Sequence, residues 1–297
     1  MTHNAAPAEH TREKQTRRTA RDARTGGPSF RGAVTLGTLI DLTLTPEVLL
    51  LGLLFTARSI GLLFGSRGSG KSWLGMLIAY AVASGKKLDP WGTGQGVAVC
   101  YLDGEMRARG FRERLEQLHA FDTDEKTREL ARSNLHIISR DLVGDTIGSI
   151  DTEEGQEAID ALLPKDVRLI VIDNLSAWTE GGAESIQAWQ GVKRWLIRKR
   201  LDGIAVLIVH HAGKSGVQRG TSAHEDLLDY AIQVAPALDQ ASDPSETCFT
   251  VEHTKWAAPD SPDTLNGNMC SGEGNGFKEA IHRRIQTRGG PAGDHAR

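Results

Sequence analysis

The chain has 297 residues, 39% hydrophobic and 25% charged, with a formal net charge of −3. This is an ordinary globular composition, long enough for a substantial core in one large domain or two small ones, and it excludes a fibrous or wholly disordered chain. Three scattered cysteines, Cys100, Cys248 and Cys270, have no metal-ligand spacing and give neither a disulfide framework nor a zinc site, so a reducing, cytoplasmic setting is the expectation.

The first 31 residues carry Arg12, Lys14, Arg17, Arg18, Arg21, Arg24 and Arg31 against Glu9, Glu13 and Asp22, with almost nothing apolar. They read as a disordered basic arm, either a solvated tail or a segment that touches nucleic acid. No apolar core of a signal peptide is visible there. Residues 32–58 form a lead-in containing Pro46. The stretch from Val48 to Phe64 is very apolar, but Thr56, Arg58 and Ser59 interrupt it, and it falls short of a spanning helix, so no membrane partner is expected.

Ser59 to Phe64 is an apolar run of strand length. It leads into Gly65-Ser66-Arg67-Gly68-Ser69-Gly70-Lys71-Ser72, and an apolar run from Trp73 to Ala83 follows, ending at the helix-stop signal Ser84-Gly85. Strand, Gly-rich loop and helix in that order form a phosphate-binding P-loop. The glycines let backbone N–H groups turn inward around a triphosphate, and the helix N-terminus adds a favourable dipole. Residues 65 to 72 are thus expected to bind ATP, with Lys71 on the β/γ-phosphates and the Ser72 hydroxyl on Mg2+.

Gly96 to Leu102 reads as a second buried strand, followed by a charged amphipathic helix over about Arg107 to Leu118. Leu135 to Ile138 reads as a short strand, Glu153 to Leu163 as a helix stopped by Pro164, and Val167 to Ile172 as a third core strand. Ile186, Trp189, Val192, Trp195 and Leu196 mark one face of a long helix ending near Gly203, and Ile204 to Val209 is a fourth core strand. Apolar strands alternating with helices predict an α/β fold, a mostly parallel sheet covered on both faces. Ala231 to Val234 and Cys248 to Lys255 read as strands without an intervening helix, which predicts an antiparallel C-terminal extension. Residues 257–275, rich in Pro, Gly, Asn and Ser, read as a loop, and the last dozen residues as disordered. The expected organisation is an arm over 1–31, one ATPase domain over 32–285 and a tail over 286–297.

Ligands of open α/β sheets bind beyond the carboxyl ends of the strands. The third strand ends in Asp173, a Walker B pattern in which the carboxylate helps hold Mg2+ directly or through water. The second ends in Asp103-Gly104-Glu105. Hydrolysis needs a group that orients and deprotonates the attacking water; Glu105 is the first choice and Asp103 the competitor. The fourth ends in His210-His211. Neighbours on a strand point to opposite faces, so the pair is a poor metal clamp, but His211 is placed either to sense the γ-phosphate or to pack in the core. A second Gly-rich loop, residues 212–222, brings Lys214 and Arg219. Lys255 ends a later strand. Each of these cations suits a phosphate, of DNA or of a neighbouring copy's nucleotide, or is simply solvated.

The P-loop, Tyr101-Leu102-Asp103-Gly104-Glu105-Met106, Val171-Ile172-Asp173-Asn174-Leu175-Ser176, Val209-His210-His211-Ala212-Gly213-Lys214, Gln218-Arg219-Gly220-Thr221-Ser222 and Glu225-Asp226 with Asp229 together resemble the RecA-like hexameric ATPases of plasmid and phage replication, the RepA-type helicases, often described simply as AAA family ATPases. The resemblance runs from about residue 45 to 281. It implies a RecA-like P-loop core in which Glu105 is the catalytic carboxylate, Asp173 the Walker B acid and His211 the sensor. It also implies a ring of copies, with ATP between subunits and Arg219 or Lys255 reaching across. Many relatives carry a second cation beyond the Lys255 position; here Trp256 and Ala257 follow. The implied partners are single-stranded DNA and primase or replication-initiator proteins. The residues leave other readings open: a strand-exchange or regulatory ATPase without unwinding, a small-molecule P-loop kinase, and a nucleotide-gated DNA-binding protein with negligible turnover.

Overall fold

The computed structural model describes residues 32–44, 46–52, 54–89, 91–144, 147–180, 186–211, 226–236, 247–256 and 267–271. The basic arm, the tail, Lys214 and Arg219 lie outside the described residues.

In chain order the elements are α1 (Leu36–Ile40), β1 (Leu49–Leu51), β2 (Phe55–Thr56), β3 (Ile60–Gly65), α2 (Lys71–Ser84), β4 (Lys87–Leu88), β5 (Gly92–Thr93), β6 (Val99–Asp103), α3 (Ala108–Phe121), α4 (Glu125–Asn134), β7 (Leu135–Ser139), α5 (Arg140–Val143), α6 (Glu153–Leu162), β8 (Leu169–Asp173), a 3-10 turn (Leu175–Trp178), α7 (Ile186–Leu201), β9 (Ala205–His211), β10 (Tyr230–Pro236), β11 (Thr247–Trp256) and β12 (Gly267–Ser271). Eight strands form one sheet in the order β12-β11-β10-β3-β9-β8-β6-β7. The pairings from β10 to β7 are all parallel, whereas β11 and β12 are antiparallel. This is the α/β, RecA-like P-loop core, with one strand, β9, inserted between the P-loop strand β3 and the Asp173 strand β8.

The expected antiparallel pairing of the two C-terminal runs is present, β10 with β11, and β10 itself joins the sheet parallel to β3. The connection over 212–229 exceeds the dozen residues a parallel crossover requires, and nothing in the β10 run itself encodes direction. One expectation is corrected: the segment read as a loop over 257–275 contains β12, paired with β11 from Thr247–Ser271 to Val251–Gly267. An edge strand needs only one neighbour, so the Gly, Asn and Ser that signal a loop by composition are tolerated there. Helix α4 and the small hairpins β1–β2 and β4–β5 are present in addition to the expected elements.

The strands alternate. Val99, Tyr101, Leu169, Val171, Ala205, Leu207 and Val209 pack on one face with α2, Phe111 and Leu118 of α3, and Ala131 of α4. Cys100, Leu102, Ile170, Ile172, Val206 and Ile208 pack on the other with Ile159 of α6 and Trp189, Trp195 and Leu196 of α7. Both faces are covered, which explains why these strands read as continuous apolar runs. No helix among the described residues is long and apolar enough to cross a membrane.

Candidate functional site

The site lies where β3, β6, β8 and β9 end. Gly65 closes β3, and a Cβ there would collide with the Val234 carbonyl of β10, so only glycine lets the chain turn into the loop. Gly70 caps α2 with φ of 93°, a left-handed conformation that suits glycine. Between them the loop rises from the sheet and returns into α2, whose first residue is Lys71.

Lys71 is buried, and its Nζ donates to the Ser66 carbonyl at 2.6 Å. Burial pulls its ammonium below the usual lysine range, while the carboxylates of Asp173 and Glu105 hold it up. A buried cation closed back on its own loop is placed to exchange the Ser66 carbonyl for phosphate oxygens. The Ser69 hydroxyl, also buried, has no partner among the described residues. A phosphate oxygen would satisfy it, since buried polar groups are normally bonded.

Asp173 ends β8 and is buried. It accepts from the Tyr101 hydroxyl at 2.6 Å and from the Ser72 hydroxyl. Burial pushes its carboxyl above the usual range, against those two bonds. Ser72 and Asp173 are therefore adjacent at the foot of the loop. A serine hydroxyl and one carboxylate fit Mg2+, which keeps most of its shell as water and substrate phosphate rather than protein. No cluster of three His, Cys, Asp or Glu that could cage a metal exists among the described residues.

The two carboxylates after β6 have different surroundings. Asp103 is buried; one oxygen accepts from the Ser139 hydroxyl at 3.0 Å and the other from the Met106 N–H at 3.2 Å. Burial raises its pKa. Its oxygens are used in closing the turn and joining β6 to the end of β7. Glu105 is exposed beyond that turn, and its Oε1 lies 3.0 Å from Nε2 of His211.

Asn174, which the sequence reading quoted but gave no role, completes this group. Its Oδ1 accepts from the Ala177 N–H at 3.0 Å, which fixes the amide and turns Nδ2 outward to 2.9 Å from His211 Nε2. An amide NH2 only donates, and Nε2 cannot both accept from Nδ2 and donate to Glu105: with Nε2–H donating to Glu105 Oε1, the Nδ2–Nε2 approach is not itself a hydrogen bond, and Nδ2–H also turns to the Glu105 carboxylate. Burial alone would raise the Glu105 pKa; hydrogen bonding and charge from His211, the Asn174 bond and the Arg67 guanidinium outweigh it, and the net direction is down.

His211 reaches this position by register. Ala205, Leu207 and Val209 face α2, so His211, two residues on, shares their face, whereas His210 is buried on the opposite one. Tyr101 faces the same way and meets Asp173 across the β6–β8 pairing. That alternation was readable in the sequence for both Tyr101 and Asn174's neighbour Asp173, but not the strand order that brings them together.

Lys71, Ser72, Asp173, Glu105 and His211 are thus gathered at one end of the sheet. Lys255 is not among them. Its backbone, the only part described, pairs with Ala231, and Ala231 pairs with Leu62, three residues before the P-loop strand ends. β11 runs antiparallel and carries Lys255 toward the end of the sheet opposite its own P-loop. Arg219 lies outside the described residues.

No curated protein is significantly similar to the chain in sequence. Among solved structures it resembles a KaiC-like protein from the hyperthermophilic archaeon Pyrococcus horikoshii OT3, at 18% identity and a TM-score of 0.48, covering 72% of this chain and 87% of that one. A family model described as an AAA domain matches residues 31–217, more than half of the chain and all of the P-loop, Glu105, Asp173 and His211; the chain belongs to the AAA domain family.

Proposed function

We propose that this chain is an ATP-hydrolysing ring ATPase that acts on single-stranded DNA, as the replicative helicase of a plasmid or phage, with copies of itself and primase or initiator proteins as partners. The observation that carries the hydrolytic part is the convergence of Lys71, Asp173 and the Glu105–His211–Asn174 group at one sheet end. In this reading the P-loop N–H groups and Lys71 hold the β/γ-phosphates and offset the charge that develops on them. Ser72 and Asp173 hold Mg2+, which when bound neutralises phosphate charge. Glu105, ionised because its two donors favour the charged form, takes the proton of the attacking water at Oε1. His211 and Asn174 orient that carboxylate, and a γ-phosphate bound beside it would compete for their N–H groups.

The DNA and ring parts rest on the motif set after β9 and on the course of β11. A cation carried away from its own P-loop serves a neighbour's nucleotide better than its own, which supports Lys255 as a group acting between copies; Arg219 in the basic loop is the other candidate, from its sequence alone. The test is ATP turnover with and without single-stranded DNA, together with native mass in an ATP analogue. Stimulation by DNA and a closed multimer are expected. Phosphoryl transfer to a metabolite would point instead to a kinase, and DNA binding without turnover to a nucleotide-gated binding protein.

A further inference from the structure

Gly104 stands between the buried Asp103 and the exposed Glu105, and its backbone does not ask for glycine. Its φ is not positive, unlike those of Gly68 and Gly70 in the P-loop, so an alanine could adopt its conformation. What excludes a side chain there is a neighbour. A Cβ on Gly104 would lie 2.5 Å from the Ala177 Cβ and 3.0 Å from Nε1 of Trp178, whereas carbon atoms in contact sit about 3.5–4.0 Å apart.

That neighbour is the 3-10 turn, the segment that follows Asn174. Ala177 serves both sides of the site. Its N–H holds the Asn174 amide at 3.0 Å, and its methyl group faces Gly104. The Gly104 N–H in turn donates to the Asp173 carbonyl at 2.7 Å, which pins the β6–α3 turn to the end of β8. Glu105 and Asn174 are thus each one step from a single contact: Glu105 follows Gly104 in the chain, and Asn174 is bonded to Ala177.

The 3-10 turn has no room to retreat. Trp178 is fully buried, and the Arg140 guanidinium, at the start of α5, lies 4.4 Å from the centre of its ring. The Trp178 carbonyl accepts from the Ile150 N–H at 2.8 Å and from the Ser149 hydroxyl at 3.2 Å. With one face of the indole against Arg140 and its Nε1 edge toward Gly104, the ring has no second place in a close-packed interior. A side chain at position 104 therefore displaces the β6–α3 turn by about 1 Å, the difference between 2.5 Å and ordinary carbon contact. The groups that hold Glu105, His211 of β9 and Asn174, belong to the side that stays.

We infer that Gly104 is a positioning residue for hydrolysis: its missing side chain lets the β6–α3 turn seat on Ala177 and Trp178, and that seat sets Glu105 against His211 and Asn174. Gly104 touches neither nucleotide nor water and acts only through Glu105. The inference deepens the hydrolytic reading above and rests on Glu105 as the base.

The test is a double-mutant cycle on the full chain, Gly104→Ala and Ala177→Gly singly and together, with Glu105→Gln as the marker for a lost base. Two quantities are measured for each: equilibrium binding of a non-hydrolysable ATP analogue with Mg2+, and single-turnover hydrolysis of ATP. Gly104→Ala should bind the analogue with wild-type affinity and hydrolyse more slowly, by about tenfold up to the hundredfold that a displacement of ~1 Å can cost. The double variant should recover most of that loss, because Ala177→Gly removes the methyl group that the new Cβ meets. Ala177→Gly alone is the reference for the double variant, since a glycine also loosens the turn. Wild-type hydrolysis by Gly104→Ala, beside a slow Glu105→Gln, would overturn the inference and leave the base in place. An equal loss with alanine and with glycine at position 177 would show that the contact does not carry the effect, and would overturn it too. Loss of analogue binding by Gly104→Ala would mean that the contact holds the fold rather than the carboxylate, and would end the proposal. Wild-type hydrolysis by Glu105→Gln would overturn both the base and this inference.

Discussion

Glu105 and His211 are 106 residues apart in the chain and 3.0 Å apart in the fold, Oε1 to Nε2. Asn174 also donates to Glu105, so the carboxylate is held through two donors. The relationship separates the two acids that follow β6 and defines what substitutions there should do.

Glu105→Gln should retain ATP binding and lose turnover by roughly a hundredfold or more, the scale of a removed general base. Asp103→Ala should instead lower stability by about 1–3 kcal/mol, because it leaves the Ser139 hydroxyl and the Met106 N–H without their buried acceptor. Nucleotide-binding titrations, single-turnover hydrolysis and thermal melts of Glu105→Gln, Asp103→Ala and Asp103→Asn distinguish the roles; hydrolysis lost in Asp103→Asn and kept in Glu105→Gln would reverse the assignment.

His211→Ala should move the acid limb of the pH–rate profile upward. His211 donates to Glu105 and favours its charged form, so removing it leaves burial to raise the Glu105 pKa. Activity that needs ionised Glu105 is present above that pKa and lost as pH falls through it, so the loss begins at higher pH in the variant. Asn174→Leu should shift the limb in the same direction. A profile measured between pH 4 and 8, about the range of carboxylate and imidazole titration, checks both; unchanged acid limbs would mean that neither donor acts on the catalytic carboxylate.

Lys71→Ala should abolish nucleotide binding and turnover. Lys71 is the cation the P-loop itself brings to the β/γ-phosphates, and it is already desolvated. Equilibrium binding of a fluorescent ATP analogue is the direct readout, and near-wild-type hydrolysis would contradict the site.

Tyr101→Phe should shift the Mg2+ dependence of turnover to roughly tenfold higher concentration, the usual scale for losing a group that orients a metal ligand. The variant keeps the ring that packs against Phe111 and removes the 2.6 Å bond to Asp173. Turnover titrated with Mg2+ at fixed ATP measures it; recovery at saturating Mg2+ is expected, and an unchanged curve would mean that Tyr101 is only packing.

Arg219→Ala and Glu105→Gln copies should each be inactive alone and partly active when mixed, if Arg219 acts on a neighbour's ATP, since some interfaces then join a normal Glu105 to a normal Arg219. A finger of this kind contributes about a thousandfold or more. If Arg219→Ala keeps basal turnover and loses only stimulation by single-stranded DNA, the residue contacts DNA. If it changes neither, Lys255 is the better candidate, and the same mixing with Lys255→Ala decides.

The sequence alone determined the local chemistry. Gly65 to Ser72 between an apolar strand and an apolar helix is a phosphate loop wherever it folds, because backbone N–H geometry depends only on that short segment. The apolar runs that stop at Asp103, Asp173 and His210 likewise marked the strand ends, since a strand buried on both faces must be apolar throughout and stops near its first polar residue. Tertiary structure decided the rest. Strand order sets β6 beside β8 and β9 beside β8, and only that order brings Tyr101 to Asp173 and Asn174 and Glu105 to His211. The roles of Asp103 and Glu105 were likewise not in the motif: both follow the same strand, and burial against Ser139 is what separates a turn-closing acid from an exposed one. The direction of β10 and the edge strand β12 also required the fold, because pairing is a property of two segments and composition describes only one at a time.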